Sequence, residues 1–302
     1  MIHFPDIASE IQSIPHEGIE LSILREDKIH PEISGNKFRK LKYNLAAFTD
    51  GDFDSLLTFG GAYSNHIAAV AAAGKEFGFQ SIGIIRGEEL ASKVHENPTL
   101  KFAQNCGMKL KFISREAYRQ KTNPLFLEEL QAEFGKVYVL PEGGTNEWAV
   151  KGCTEILGAH TSGFDFICCA VGTGGTLAGL IRSAENHQRI LGFPALKDSD
   201  FLKDEINRYV NRSNWELIQE YHFGGYGKVC PELINFTNDF KNATNIQLDP
   251  VYTSKMLFGV SAMAKAGYFP KGSRVLAIHT GGLQGVEGMN KRLKRKNKTI
   301  LK

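Results

Sequence analysis

Short runs of β-branched and apolar residues alternate along this chain with stretches whose apolar positions recur every three or four residues. SLLTFG (55–60), SIGIIRG (81–87), MKLKFI (108–113) and KVYVLP (136–141) read as strands. NHIAAVAAAGKEFG (65–78), PTLKFAQNCG (98–107) and NPLFLEELQAEFG (123–135) read as the helices between them. Asn97-Pro98 supplies an N-cap followed by proline at the first helical position, and Gly107 a stop. The second half continues the alternation, and DFICCAV (165–171), RILGF (189–193) and RVLAIHT (274–280) look like buried parallel strands. Helices are predicted near 146–159, 176–186, 199–211, 231–241 and 252–266, with an irregular connection over 192–226. Strand and helix taking turns, with no all-β stretch, predict an α/β protein with parallel sheets.

At 302 residues the chain has the length of about two domains and can bury a core without disulfides or metals. Its net charge of +3 is unevenly spread. Residues 291–302 (KRLKRKNKTILK) hold seven basic residues and no acidic one, which leaves −4 on residues 1–290. No aromatic residue interleaves those charges, so a solvated end of the last helix is a simpler reading than a nucleic-acid site. The apolar runs IAAVAAAG and FICCAVG fall far short of the ~20 residues of a membrane span. MIHFPDIASEIQS has neither the basic start nor the long apolar run of a secretory leader. The five cysteines are odd in number and lack C-x-x-C spacing, and read as reduced structural thiols. The expectation is a cytoplasmic protein with no membrane and no nucleic-acid partner.

The residues able to do chemistry collect where strands end. After Val171 the run Gly172-Thr173-Gly174-Gly175-Thr176 leads straight into a helix. Its glycines let backbone N–H groups converge, its threonines add hydroxyls, and the helix start adds partial positive charge, which suits a phosphate. No G-K-[ST] follows and the G-x-G-x-x-G spacing is absent, so it is neither a Walker loop nor a dinucleotide fingerprint. A plain tight turn is the alternative. Lys37 sits near the first turn of a helix whose apolar stripe is Phe38, Leu41, Leu45 and Phe48. It is either one basic residue of four on a solvated face or a desolvated lysine able to form a Schiff base. In FGGAYSNH (59–66), Ser64 reads as an N-cap, and Ser64, Asn65 and the free N–H groups of the helix start make a carboxylate site. His66 lies one residue further on and can be purely structural. Thr280-Gly281-Gly282 lies at the carboxyl end of a strand, where open α/β sheets place ligands. Tyr226 and Tyr252 are either core aromatics or site residues. No G-x-S-x-G elbow occurs and no spacing suggests a metal.

A Schiff-base lysine, a carboxylate site and a phosphate loop without nucleotide features together suggest pyridoxal 5'-phosphate and a small amino-acid substrate. The motifs GNKFRKLKYN, TFGGAYSNH, PEGGTN, AVGTGGTLAG, LDPVYTSK and HTGG run in this order through most of the chain. On them the sequence resembles the 1-aminocyclopropane-1-carboxylate (ACC) deaminase/D-cysteine desulfhydrase family, within the tryptophan-synthase-β type of pyridoxal-phosphate enzymes. The resemblance implies fold type II: two open, mostly parallel three-layer α/β/α domains. A small one over 45–147 would be inserted into a larger cofactor-binding one made of 1–44 and 148–302. By matching motif, Lys37 would form the Schiff base and later move the Cα proton. Asn65 would contact the cofactor's phenolic oxygen, and Ser64 with neighbouring amides the substrate carboxylate. Gly172, Thr173, Gly174, Gly175 and Thr176 would hold the phosphate. Tyr226 and Tyr252 would flank cofactor and substrate, Thr280 would partner the pyridine nitrogen, and a homodimer is implied.

Three positions discriminate within that resemblance. Deaminases proper place an acid after the tyrosine matching Tyr252, tend to have Gln at the position of His66, and an apolar residue at that of Thr280. Here the residues are Thr253, His66 and Thr280. The departures favour α,β-elimination of D-cysteine to pyruvate, sulfide and ammonia over opening of ACC to 2-oxobutanoate and ammonia. A cofactor-binding protein without turnover is the alternative of another class, and the intact Ser64, Asn65 and both tyrosines speak against it.

Overall fold

The structure, a computed structural model, describes Phe4, Pro5 and residues 7–302. Met1–His3 and Asp6, part of the stretch read above for a leader, lie outside the described residues. The strands are β1 (Ile11–Ile14), β2 (Glu20–Leu24), β3 (Ser55–Gly60), β4 (Gln80–Arg86), β5 (Lys109–Ile113), β6 (Val137–Leu140), β7 (Phe166–Val171), β8 (Arg189–Pro194), β9 (Trp215–Leu217) and β10 (Arg274–Ile278). The helices are α1 (Asn36–Asp50), α2 (Asn65–Phe77), α3 (Pro98–Asn105), α4 (Arg115–Arg119), α5 (Pro124–Phe134), α6 (Glu147–Cys153), α7 (Gly175–Ser183), α8 (Phe201–Asn207), α9 (Pro231–Thr244), α10 (Thr253–Lys265) and α11 (Gly285–Lys294).

Local chemistry accounts for the helix ends. The Ser64 hydroxyl accepts from Ile67 N at 3.3 Å to start α2, and Gly78 ends it in the left-handed conformation that a Cβ disfavours. Asn97 Oδ1 accepts from Leu100 N at 3.0 Å, with Pro98 at the first helical position of α3. The predicted strands are all present. Of the predicted helices, 146–159 ends at Cys153 and passes into a 3-10 turn over Thr154–Ile156, and 199–211 shrinks to α8. The connection over 192–226 contains α8 and the three-residue β9, with irregular chain after it.

The strands form two sheets. The smaller has the order β5-β4-β3-β6 and is parallel throughout. The larger runs β1-β2-β10-β7-β8-β9 and is parallel except for the antiparallel pair β1 and β2. Both faces are buried, so alternate residues enter different layers: Ile167, Cys169 and Val171 of β7 pack on one side, Cys168 and Ala170 on the other. The adjacent cysteines therefore point away from each other, and each behaves as a small core residue.

Each sheet reverses its winding once. In the smaller sheet the chain steps outward from β3 to β4 and β5, then returns to put β6 on the other side of β3. In the larger, β8 and β9 lie to one side of β7 and β10 to the other. Such a switch point leaves a crevice beyond the strands' carboxyl ends, because the flanking connections leave in opposite directions. The loops following β3, β6, β7 and β10 border these two crevices. Among the described residues no helix is long and apolar enough to cross a membrane, and no group of His, Cys, Asp or Glu is placed to hold a metal.

Candidate functional site

The crevices face a single cavity of about 690 Å³. Lys37, Ser64, Asn65, Gly172, Thr173, Gly174, Thr176, Tyr226, Tyr252 and Thr280 all line it. Gly175 stands behind the lining, as the first residue of α7.

Lys37 is brought here by the start of α1. Gly35 precedes the helix at φ +65°, and a Cβ there would overlap the Thr280 carbonyl, so glycine is what lets α1 begin against the loop after β10. Asn36 N donates to Thr280 O at 3.2 Å, and Asn36 Nδ2 to Thr176 Oγ1 at 2.7 Å. Lys37 Nζ donates to Asn36 Oδ1 at 3.3 Å. Burial, and then the neighbouring Lys40 ammonium, lower the Lys37 pKa to about 7. Near neutrality a substantial fraction is free amine, the form that attacks a carbonyl.

Lys40 lies one helical turn on, on the same face, and is 2% exposed. Its Nζ donates to Gly143 O at 2.9 Å and to Thr145 Oγ1 at 3.0 Å, and Thr145 Oγ1 lies 2.6 Å from Thr173 Oγ1. No carboxylate pairs with it among the described residues, and burial lowers its pKa. A Cβ on Gly175 would stand 3.3 Å from Lys40 Nζ, so the ammonium borders the start of α7. Gly174, at φ +84°, turns the chain into that helix. A buried cation with no carboxylate partner among the described residues, beside a glycine-rich helix start, is chemically suited to an anion. The reading of residues 37–42 as a solvated basic face is thereby corrected. Arg39 is buried too, against Glu26 at 3.0 Å, because this side of α1 packs on other elements rather than facing water.

On the opposite wall, Ser64 and Asn65 begin α2. Ser64 is both the helix cap and a cavity residue. Asn65 Oδ1 accepts from Gln284 Nε2, which ties α2 to the segment after β10. His66 is 2% exposed and also lines the cavity. The Thr58 hydroxyl donates to Leu140 O at 2.9 Å and must therefore accept from His66 Nε2 at 2.8 Å. That leaves Nδ1 as a buried acceptor without a partner. Burial, then Lys37 and Lys40, push the imidazole pKa well below 6.5, so it stays neutral.

The remaining wall is aromatic. The rings of Tyr226 and Tyr252 meet edge to face at 6.1 Å, and burial raises both phenols. A Cβ on Gly172 would lie 3.2 Å from the Tyr252 ring, so this glycine gives the tyrosine its place against the loop. Asp249 is 1% exposed. Its Oδ1 accepts from Val251 N and Tyr252 N, forming the turn that presents Tyr252. Burial pushes its pKa up to about 7. Thr253 is turned away from the cavity and donates its hydroxyl back to Asp249 O. Glu142 is the one carboxylate on the lining among the described residues, on the outer side.

A family described as pyridoxal-phosphate dependent enzyme matches residues 10–281 of this chain. A bifunctional D-cysteine desulfhydrase/1-aminocyclopropane-1-carboxylate deaminase, mitochondrial, of Arabidopsis thaliana is 32% identical over 298 residues, covering 89% of this chain and 74% of that one. A 1-aminocyclopropane-1-carboxylate deaminase of Rhizobium rhizogenes is 26% identical over 290 residues, covering 84% of each. A solved structure of an ACC deaminase homologue superposes with a TM-score of 0.82 at 28% identity, covering 96% of this chain and 94% of that one. The cavity fits pyridoxal phosphate on its own terms. Lys37 offers a poised amine, Lys40 and the start of α7 an unanswered positive end, and the buried Nδ1 of His66 an unused acceptor.

Proposed function

The chain belongs to the ACC deaminase/D-cysteine desulfhydrase family of pyridoxal-phosphate-dependent enzymes, and on that premise we propose that it eliminates sulfide from D-cysteine, giving pyruvate and ammonia. When bound, the cofactor supplies an aldehyde for the amino group and a conjugated ring that takes up the electron pair left at Cα. Lys37 would hold the cofactor through its free amine, and the same Nζ would take the substrate's Cα proton. Lys40, Thr173, Thr176 and the N–H groups around Gly172, Gly174 and Gly175 would hold the phosphate. Asn65 would be placed for the phenolic oxygen, Thr280 for the pyridine nitrogen, and Ser64 with the first amides of α2 for the substrate carboxylate. Tyr226 and Tyr252, whose rings meet 6.1 Å apart on the cavity wall, would flank the reacting carbons. In the net reaction D-cysteine and water would give pyruvate, sulfide and ammonia, the Cβ–S bond breaking with its electron pair on sulfur.

The observation that carries this reading is the contrast between the amine and the phenol. Lys37 is held at about 7, whereas burial pushes the Tyr252 phenol well above its ordinary 10. ACC has no Cα hydrogen, so its ring opening needs a nucleophile, and a protonated phenol is a poor one. An amine near neutrality is well matched to taking a Cα proton from D-cysteine. Thr253, where an acid would stand in the deaminases proper, is a hydroxyl facing out of the cavity. The test compares sulfide and pyruvate from D-cysteine with 2-oxobutanoate from ACC, using purified holoenzyme. Release from D-cysteine with little from ACC is expected, and turnover of ACC alone overturns the assignment.

A further inference from the structure

The outer part of the cavity has a wall that elimination from D-cysteine does not use. Arg86, at the end of β4, and Arg115, Tyr118, Arg119 and Lys121, on and just after α4, all line it. The Arg86 guanidinium carbon lies 5.6 Å from the centre of the Tyr118 ring, and Lys121 Nζ 5.2 Å from it. The Tyr118 hydroxyl donates to Glu142 at 2.7 Å, and Lys121 pairs with the same carboxylate at 3.4 Å. Arg115 pairs with Glu89. Arg86 and Arg119 have no carboxylate partner among the described residues. A Cβ on Gly61 would stand 3.6 Å from an Arg86 guanidinium nitrogen, so this cation overhangs the loop that leads to Ser64.

Two guanidiniums facing a cavity and left unpaired gain nothing from a neutral side chain such as that of cysteine. An oxyanion offers them charge-assisted, bidentate bonds. The wall shares the cavity with Lys37 and Ser64, and through Arg86 it borders Gly61, three residues before Ser64. We propose that the wall selects β-substituted amino acids whose leaving group carries an oxyanion, and that these are better substrates than D-cysteine. The inference rests on the elimination reading and widens its substrate class. With a phosphate ester the Cα proton goes to Lys37 and the Cβ–O bond breaks with its electron pair on the departing phosphate. Water then gives pyruvate and ammonium as before.

The probes are O-phospho-D-serine, the neutral ester O-acetyl-D-serine, and D-cysteine, each with wild-type holoenzyme and with the exposed-residue double variant Arg86→Gln/Arg119→Gln. Pyruvate release gives kcat/KM, and the change in the cofactor's visible band gives a dissociation constant for each amino acid whether or not it is consumed. The phosphate ester is expected to be favoured over the acetyl ester by ~10-fold or more at low salt, with the preference shrinking as salt rises. The double variant is expected to lose that preference while handling the two uncharged side chains within about twofold of wild type, because a neutral leaving group offers these exposed guanidiniums no charge-assisted bond. Equal losses on all three overturn the proposal, because the guanidiniums would then serve the shared α-carboxylate; so does no loss at all. If no compound yields pyruvate, the elimination reading fails. The binding constants then judge the anion preference separately, and equal affinities for the two esters reject it.

Discussion

Replacing Lys40 by Met separates the cofactor's phosphate from the rest of the site. In the cofactor-free protein two effects oppose each other. The change takes the Nζ donor at 2.9 Å from the Gly143 carbonyl, while Thr145 Oγ1 keeps Thr173 Oγ1 at 2.6 Å, and an acceptor left unsatisfied in the interior costs about 1–3 kcal/mol. It also removes an ammonium that is 2% exposed and has no carboxylate partner among the described residues, and an uncompensated buried charge costs a comparable few kcal/mol. The unfolding midpoint of the cofactor-free protein should therefore move little. Binding of pyridoxal phosphate should suffer more. Loss of one hydrogen bond to a charged group is worth about 1.5–3 kcal/mol, or a dissociation constant roughly 10- to 150-fold weaker. Pyridoxal, which lacks the phosphate, is the control. Absorbance titration of cofactor-free wild type and Lys40→Met with both compounds should show the loss for pyridoxal phosphate and none for pyridoxal. Equal weakening of the two would mean that Lys40 only shapes the pocket, and no weakening of either would remove it from the phosphate site.

Three further outcomes follow from the same geometry. Burial, followed by Lys40, holds Lys37 at about 7 against an ordinary 10.5, partly offset by Cys153, Cys169 and Asp249. Between those values the unfolded chain binds the extra proton, so this group makes stability rise with pH from about 7 to 10.5, and its penalty is complete below 7. Cofactor-free Lys37→Met should thus be more stable than wild type at pH 6 in urea denaturation and converge with it near pH 10; parallel profiles would refute the cause. Ser64→Ala should cost ~1 kcal/mol of stability as a lost cap, and Ser64→Gly only a few tenths. Both should raise KM by about the same factor with the cofactor band intact, and a KM effect tracking the stability loss would leave Ser64 as a cap alone. Lys255, 2% exposed, donates at 2.8 Å to both His222 O and Gly225 O. These bonds hold a turn in which Phe223, Gly224, Gly225 and Gly227 all have positive φ and which carries Tyr226. If Lys255 acts by placing Tyr226, adding Lys255→Met to Tyr226→Ala should cost little further kcat/KM, whereas additive losses would point to an independent role.

The parts of this site that could be read from the sequence are those whose function is a property of a few consecutive residues. Gly172 to Thr176 announce a turn and a helix start in one string, Ser64-Asn65 announce a capped helix, and the stripe Phe38, Leu41, Leu45, Phe48 announces which side of α1 is buried; all four residues of that stripe are in the core. The missed parts depend on what packs against what. β1 and β2 are short segments that become strands by lying beside β10, and β9 is three residues added at an edge, so none carries a decisive period of its own. Arg86, Tyr118 and Arg119 belong to different elements, and only the fold of the smaller sheet makes them one wall. Lys40 is the instructive case, because one signal for it was present. It stands three residues after Lys37, and positions three apart share a face of a helix. Once Lys37 is placed in a cavity at the start of α1, Lys40 must point the same way, and a second cation behind a Schiff-base lysine needs an anion to answer it. On the proposed reading, the phosphate of the cofactor would be part of the charge balance of α1 itself.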